Sequence, residues 1–260
     1  MFAGIDIGAI TTKAVIINEQ EKIVAFSLIA TAYDRQQSGT DALGLALEKT
    51  GESSDAIKYI VSTGYGRRAF TPSNKVLPEI VCHAKGTRFL FPTVRTIIDI
   101  GGQDSKVIEL DKEGNVNKFE MNDKCAAGTG RFLEVLTERI LNLPLEELGP
   151  LSLKCKSPCI LSSICTVFAE SEIISYLSEN KTKEDIICGM NKAIAKRVTN
   201  MGTAGLIKYR EPIVFSGGVA KNIGVVKAIE EELGKKVLTP QEPQITAALG
   251  AALFATRSIE

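Results

Sequence analysis

The sequence predicts an α/β fold built from two duplicated domains, and three observations carry that expectation. The first is a gap-free internal repeat. Ile5-Asp6-Ile7-Gly8 with Lys13 returns 93 positions later as Ile98-Asp99-Ile100-Gly101 with Lys106, as happens when one supersecondary unit has been copied. The second is the alternation of strand hairpins with helical segments in an order that requires parallel crossovers. The third is a set of glycine turns directly behind apolar strands: Gly8 after residues 5–7, Gly101-Gly102 after 97–100, and Gly217-Gly218 after 213–215. A chain of 260 residues holds one large domain or two of about 100–150 residues, and the repeat selects two.

In chain order, the apolar strand at 5–7 turns at Gly8 into a strand at 12–17 that alternates polar and apolar, closed by a charged turn at 18–22. The copy repeats this with strands at 97–100 and 105–110 and a turn at 111–115. Between the copies, Leu43, Ala46 and Leu47 at helical spacing behind Thr40-Asp41 predict a helix over 39–49. A strand at 59–62 then delivers Thr63-Gly64-Tyr65-Gly66-Arg67, a loop that reads as a contact for a partner protein or for a hinge. Pro92 and residues 93–96 mark the crossover. Residues 122–130 form a glycine-rich loop leading into an amphipathic helix at 131–141 that stops before Pro144. Helices at 166–177 and 184–206 follow, then a short buried strand at 213–215. A small-residue helix at 246–255 is expected to pack against the first domain. The expected domains are 1–95 with the C-terminal helix 245–260, and 96–244.

Composition removes several classes of function. Lys+Arg and Asp+Glu are equal at 31 each, so no overall positive field draws nucleic acid or an anionic membrane surface. No apolar run reaches the roughly 18 residues of a membrane span, and no basic segment precedes the first strand. The expected location is cytoplasmic. Six cysteines in a reducing compartment point to metal, redox chemistry or burial rather than to structural disulfides. The single histidine, His83, excludes sites that need several imidazoles and is read as structural.

Glycine turns let backbone N–H groups approach an anion, and Asp6 and Asp99 stand where a strand meets such a turn. Two acids, two glycine turns and a cleft describe a site for nucleotide phosphates and a divalent metal. Lys13 and Lys106 either neutralise phosphate charge or, in the case of Lys106, stand solvated on the strand. Gln103 or Asp104 is placed to position an attacking water. The three turns together resemble the phosphate-one, phosphate-two and adenosine motifs of the actin, hexokinase and chaperone ATPase superfamily. The resemblance implies duplicated ribonuclease H-like (actin-like ATPase) domains flanking a nucleotide cleft. It implies that Asp6 and Asp99 hold Mg²⁺ through water. It assigns the phosphates of ATP or ADP to Gly8, Ala9, Thr11, Thr12, Lys13, Gly101 and Gly102, and the adenosine to Gly217, Gly218, Val219 and Asn222. The first turn departs from the pattern, with Ala9-Ile10 where Ser-Thr is usual. Ala9 keeps its amide without a hydroxyl, and Thr11 or Thr12 is the substitute.

A second constellation is more specific: Asn122-Asp123-Lys124-Cys125-Ala126-Ala127-Gly128-Thr129-Gly130-Arg131-Phe132-Leu133-Glu134, with Ser162-Ser163-Ile164-Cys165-Thr166-Val167-Phe168-Ala169-Glu170 beyond it. Both strings resemble the ATP-dependent activators of 2-hydroxyacyl-CoA dehydratases, whose wider family includes the ATPase subunits of benzoyl-CoA reductases. The resemblance implies that Cys125 and Cys165 ligate iron, with one [4Fe–4S] cluster shared across a homodimer. Four thiolates complete such a cluster, and two per chain with a twofold axis supply them. Each cysteine precedes a predicted helix, where free N–H groups and the helix dipole favour thiolate. Gly128, Gly130 and Glu134 would belong to the nucleotide site, Glu134 reaching the ribose. The same resemblance implies an oxygen-sensitive ATPase that takes an electron from ferredoxin or flavodoxin. The electron would pass to a 2-hydroxyacyl-CoA dehydratase or a related reductase. Cys155 and Cys159 are either structural or additional ligands, and Cys82 and Cys188 read as small hydrophobic residues. Alternatives from other classes are a small-molecule kinase of the same superfamily and a polymer-forming or chaperone-like ATPase.

Overall fold

The structure, a computed structural model, describes residues 1–161 and 165–257. The head of the second cysteine string, Ser162 to Ile164, and the end of the expected C-terminal helix therefore lie outside the described residues. The chain divides into two compact units. One comprises Met1–Val94, Leu110–Asn117 and the C-terminal segment from Pro240; the other comprises Arg95–Glu109 and Lys118–Thr239.

The first unit is a five-stranded sheet of order β3-β2-β1-β4-β5, formed by β1 (Phe2–Ile7), β2 (Thr11–Ile17), β3 (Ile23–Ala30), β4 (Tyr59–Thr63) and β5 (Lys75–Val76). Central β1 pairs antiparallel with β2 and parallel with β4. All six of its residues are buried, because helices cover both faces of the sheet. Helix α1 (Arg35–Glu48) packs Ala42, Ala46 and Leu47 against Ala3, Ile5, Ile7, Ala14 and Ile16. On the opposite face, α2 (Glu79–Leu90) and the C-terminal helix Thr246–Thr256 pack with Phe2, Val15, Ile17 and Val61. That helix lies directly on the strand: a Cβ at Gly4 would strike the backbone of Ala248 and Ala252. It also crosses α2 backbone to backbone, since a Cβ at Gly86 or Gly250 would strike Thr246 or Cys82 carbonyl oxygens respectively. His83 is buried at this crossing, sharing Nδ1 with the Thr246 hydroxyl at 3.2 Å and Nε2 with Glu79 at 3.3 Å.

The second unit repeats the plan. Its sheet has the order β10-β9-β6-β7-β8, formed by β6 (Thr96–Ile100), β7 (Ser105–Leu110), β8 (Val116–Asn122), β9 (Ile213–Ser216) and β10 (Val237–Leu238). β6 pairs antiparallel with β7 and parallel with β9, as β1 does with β2 and β4. The duplication is in register to the residue: Asp6 stands opposite Lys13, and Asp99 opposite Lys106. The helices here are α3 (Gly130–Leu136), α4 (Leu148–Ser152), α5 (Thr166–Ser178), α6 (Lys183–Ala204) and α7 (Ile223–Leu233). Ile187, Met190, Ile194 and Val198 of α6 join Ile98, Ile100, Val107 and Phe215 in one core. The C-terminal helix of the first unit is accordingly α8.

The duplicated α/β expectation holds, with corrections at individual elements. Strands β3 and β8 and helices α2 and α7 have no counterpart in the sequence reading. β3 is half-exposed without a clean alternation, and α2 carries a central glycine that costs helix propensity but permits the α8 crossing. Helix α1 begins at Arg35 rather than near 39, because the Asp34 carboxylate caps it by accepting from the Gln37 amide at 3.0 Å. Gly39 lies inside that helix, where a Cβ would strike the Phe70 ring at 2.5 Å. The helix expected at 131–141 is α3 followed by a wider turn, Thr137–Leu141, stopped by Asn142 in the left-handed region at φ 48°.

The α2–α8 crossing generates a stability test. In an exposed helix, Gly250→Ala would gain about 1 kcal/mol of propensity, but here the methyl collides with a backbone carbonyl. The variant is expected to lose a net 1–3 kcal/mol or so, read as a lowered thermal midpoint. A neutral or more stable variant contradicts the packing.

Candidate functional site

In the second unit three glycine segments meet at the end of β6. Gly217, at φ +87°, lies on Ile100 so closely that a Cβ would strike its carbonyl. Gly130 lies over the next residues: its Cβ would stand 3.1 Å from the Gly101 carbonyl oxygen and 3.4 Å from Gly102 Cα. Two amides bind that turn, Gly130 N–H donating to Gly101 O at 2.8 Å and Arg131 N–H to Gly102 O at 2.9 Å. The turn closes on itself through Gly101 N–H to Asp104 O at 2.9 Å. Val219 is buried beside Gly130, Gly218 is exposed, and Asn222 caps α7 by accepting from the Gly224 amide at 2.9 Å.

Behind the turn lies a buried charge cluster. Lys106, only 1% exposed, donates to Asp104 at 2.6 Å and to Asp99 at 3.3 Å. Asp99, 3% exposed, also accepts from the Ser216 hydroxyl at 2.8 Å. The solvated reading of Lys106 is therefore overturned: opposite-charge partners on β6 and on its own turn draw the ammonium inward. Gln103 is exposed at the tip of the turn, whereas Asp104 is committed to Lys106. Glu134 on α3 pairs with Arg131 at 2.8 Å and is part-exposed.

The first unit presents the same geometry. Lys13 donates to Asp6 at 3.0 Å, and Gly8 N–H to Thr11 O at 3.0 Å. The guanidinium of Arg35 clamps the turn, donating to the carbonyls of Gly8 at 3.1 Å and Ala9 at 3.2 Å. Thr12 is fully buried and shares its hydroxyl with Thr31 at 2.9 Å; Thr11 is half-buried. The Gly64 loop wraps this end of β1, with Gly66 N–H donating to Ile7 O at 2.8 Å. Gly64, at φ +87°, lies on the carboxylate of Asp6 and on Ile7, so a side chain there would displace the acid. Asp6 is 4% exposed, and its Oδ1 is buried without a hydrogen-bond partner. An orphaned carboxylate oxygen of this kind fits a hydrated divalent cation, which would satisfy it.

Of the cysteines, Cys165 is the N-cap of α5, and Cys125 is half-exposed in the loop before α3. Cys125 stands in the loop before its helix, as the sequence suggested, with Thr129 at the N-cap position and the helix beginning at Gly130. Its loop is held by Asn122, which accepts from the Cys125 amide at 3.3 Å and donates to the carbonyls of Cys125 at 2.8 Å and Ala127 at 3.2 Å. Two accessible thiols, one at a helix start, fit soft-metal ligation. Burial, reinforced by the Cys188 thiol and Asp185, pushes the Cys155 thiol up to about 12. Burial pushes Cys82 to about 12 and raises Cys159 as well. Cys188 is not the enclosed residue expected from sequence: it lines, with Cys155, a cavity of about 260 Å³. Among the described residues, no helix is long and apolar enough to cross a membrane.

Ser216 and Arg35 complete these sites and Arg197 holds the neighbouring loop at Ala127, yet the sequence reading gave them no role, and Gly64 it placed only in a loop for a partner protein or a hinge. Ser216 directly precedes the Gly217-Gly218 pair, which was a usable signal. Arg197 on α6 carries no local signal.

A duplicated α/β fold with glycine turns behind paired acids defines a nucleotide-handling ATPase. The chain belongs to the BadF/BadG/BcrA/BcrD ATPase family, which it matches over residues 3–255. It is 47% identical over 253 residues to the activator of lactoyl-CoA dehydratase of Anaerotignum propionicum, covering 97% of this chain and 96% of that one. The activator of the 2-hydroxyisocaproyl-CoA dehydratase from Clostridium difficile, solved with bound ADPNP, superposes at a TM-score of 0.93 with 44% identity, over 99% of this chain and 95% of that chain. A ROK family glucokinase from Streptomyces griseus shares the fold alone, at a TM-score of 0.61 and 15% identity over 99% of both chains.

The buried cluster gives a direct test. Lys106→Met leaves Asp99 and Asp104 without their shared ammonium, and a loss of about 3–5 kcal/mol in denaturant unfolding is expected. Unchanged stability contradicts the cluster.

Proposed function

We propose that this chain is the ATP-hydrolysing activator of a 2-hydroxyacyl-CoA dehydratase or a related reductase. In this reading it works as a homodimer in which Cys125 and Cys165 of each copy hold one [4Fe–4S] cluster. An electron enters from ferredoxin or flavodoxin and leaves for the partner enzyme. The observation that carries the reading is the position of Cys125, in a loop whose next residues, Gly130 and Arg131, are bonded to the Gly101-Gly102 turn. When bound, the cluster would supply a single low-potential electron.

The remaining chemistry belongs to residues of the chain. The amides of Ala9 and Gly102 cradle phosphate, Gly8 and Gly101 shape the two turns through their own amide bonds to Thr11 and Asp104, and Asp6 and Asp99 hold Mg²⁺ through its water shell. Thr11 supplies the hydroxyl that Ala9 lacks, since Thr12 is committed to Thr31. Gln103 orients the attacking water, since Asp104 is committed to Lys106. Gly217, Gly218 and Val219 line the adenosine, Glu134 reaches the ribose, and Asn222 supports the segment through the α7 cap. The cytoplasm, where thiols stay reduced, is the proposed location.

Two substitutions test the hydrolytic assignment. Asp99→Asn and Asp6→Asn are each expected to lower ATP hydrolysis about 100-fold or more while the chain stays folded. Mixed anaerobically with reduced ferredoxin and a 2-hydroxyacyl-CoA dehydratase, the wild-type chain should start dehydration with ATP and not with ADP. Phosphoryl transfer to a sugar or acid, or activation without nucleotide, would overturn the proposal.

A further inference from the structure

The carbonyl of Ala127 is clamped from two sides inside the second unit. Asn122, the last residue of β8, donates to it through Nδ2 at 3.2 Å, and Arg197 of α6 donates through Nε at 3.1 Å. The same Asn122 side chain brackets Cys125, accepting from its amide and donating to its carbonyl. Arg197 also presses its aliphatic stem on the next residue. Gly128 is at φ +84°, and a Cβ there would stand 3.2 Å from both Cγ and Cδ of Arg197. Two residues further on, Gly130 and Arg131 donate to the Gly101-Gly102 turn. Between them Thr129, fully buried, ties back to Ala126 through its hydroxyl at 2.6 Å and its amide at 3.0 Å. Bonds at Cys125, Ala126, Ala127, Thr129, Gly130 and Arg131 thus tie the segment together, with the glycine turn at one end and Cys125 at the other.

We propose that Asn122 and Arg197 are positioning residues forming a latch on the Ala127 carbonyl, through which the state of the Gly101-Gly102 turn sets the exposure of Cys125. The inference rests on the reading of that turn as a phosphate site, and deepens it by naming the residues that couple it to the cysteine. A phosphate drawing on the turn shifts the Gly130 and Arg131 amides. With Thr129 and Ala126 tied together, the displacement arrives at Ala127 and is passed to Cys125 by the Asn122 side chain. Arg197, anchored on the long α6, is the fixed point against which the loop moves. Without the clamp, the loop would still fold and the turn would still bind nucleotide, but the two ends would respond independently.

The test is peptide-resolved alkylation of Cys125 in the full-length, reduced, metal-free chain, with no nucleotide, Mg·ADP or Mg·ADPNP. In the wild type the rate is expected to change at least about 5-fold between nucleotide-free and ADPNP-bound protein. In Asn122→Ala and Arg197→Met the change should collapse towards none, with nucleotide affinity and thermal midpoint retained. Arg197→Lys, which restores a donor, should recover part of it. The latch is overturned if the variants keep the wild-type ratio, if they lose nucleotide binding, or if the nucleotide-bound wild type shows no change. A wild-type chain that binds no nucleotide would sink the reading of the turn itself, and the latch with it.

Discussion

The site of the second unit depends on one constraint: at the end of β6, three segments distant in sequence meet without a side chain between their backbones. Gly217 rests on Ile100 with no room for a Cβ, and Gly130 rests on Gly101, where a Cβ at 3.1 Å from the carbonyl oxygen would be tightly crowded. Contact at that distance fixes the course of the turn from Ile100 to Asp104. Chemistry is then left to four side chains gathered behind it, Asp99, Asp104, Lys106 and Ser216. A loop free to choose its conformation would have to order these groups at an entropic cost each time a ligand arrived. Here the fold has met that cost in advance.

The two copies of the hairpin have kept their register and diverged in their surroundings. Asp6 and Asp99 face their lysines identically along the strands. Around Asp6 the Gly64 loop and Arg35 complete the turn from the first unit's own loops. Around Asp99 the same task falls to Ser216 and to the segment that begins with Asn122. Only the second copy has therefore acquired a structure that continues into a cysteine. Both copies keep a glycine turn behind an acid, and in the second the segment between β8 and α3 bonds that turn through Gly130 and Arg131.

Much of this was legible in the residues. The repeat identified both hairpins, their register and their acids, because strand patterning at Ile5–Ile7 and Ile98–Ile100 is a local property. The glycine pairs were legible because a turn behind a strand needs few neighbours to define it. Helix α7 carried local signals that the reading passed over, Asn222 as its N-cap and Gly234 as its left-handed stop. Helix α2 was not legible, because its stability comes from tertiary contacts such as the Gly86–Gly250 crossing that no local window contains. The burial of Lys106 was hidden for the same reason, since a lysine between alternating apolar residues looks solvated until Asp99 and Asp104 close over it. Arg197 lies 70 residues from the carbonyl it holds, and only the fold brings them together.

The central claim is that Cys125 and Cys165 are ligands rather than incidental thiols. Anaerobic purification followed by iron, acid-labile sulfide and native mass determination tests it most directly. The account predicts a dimer with about four irons and four sulfides per two chains, lost on Cys125→Ser or Cys165→Ser and kept on Cys155→Ser. A colourless, iron-free chain, or iron retained after both ligand substitutions, would contradict it.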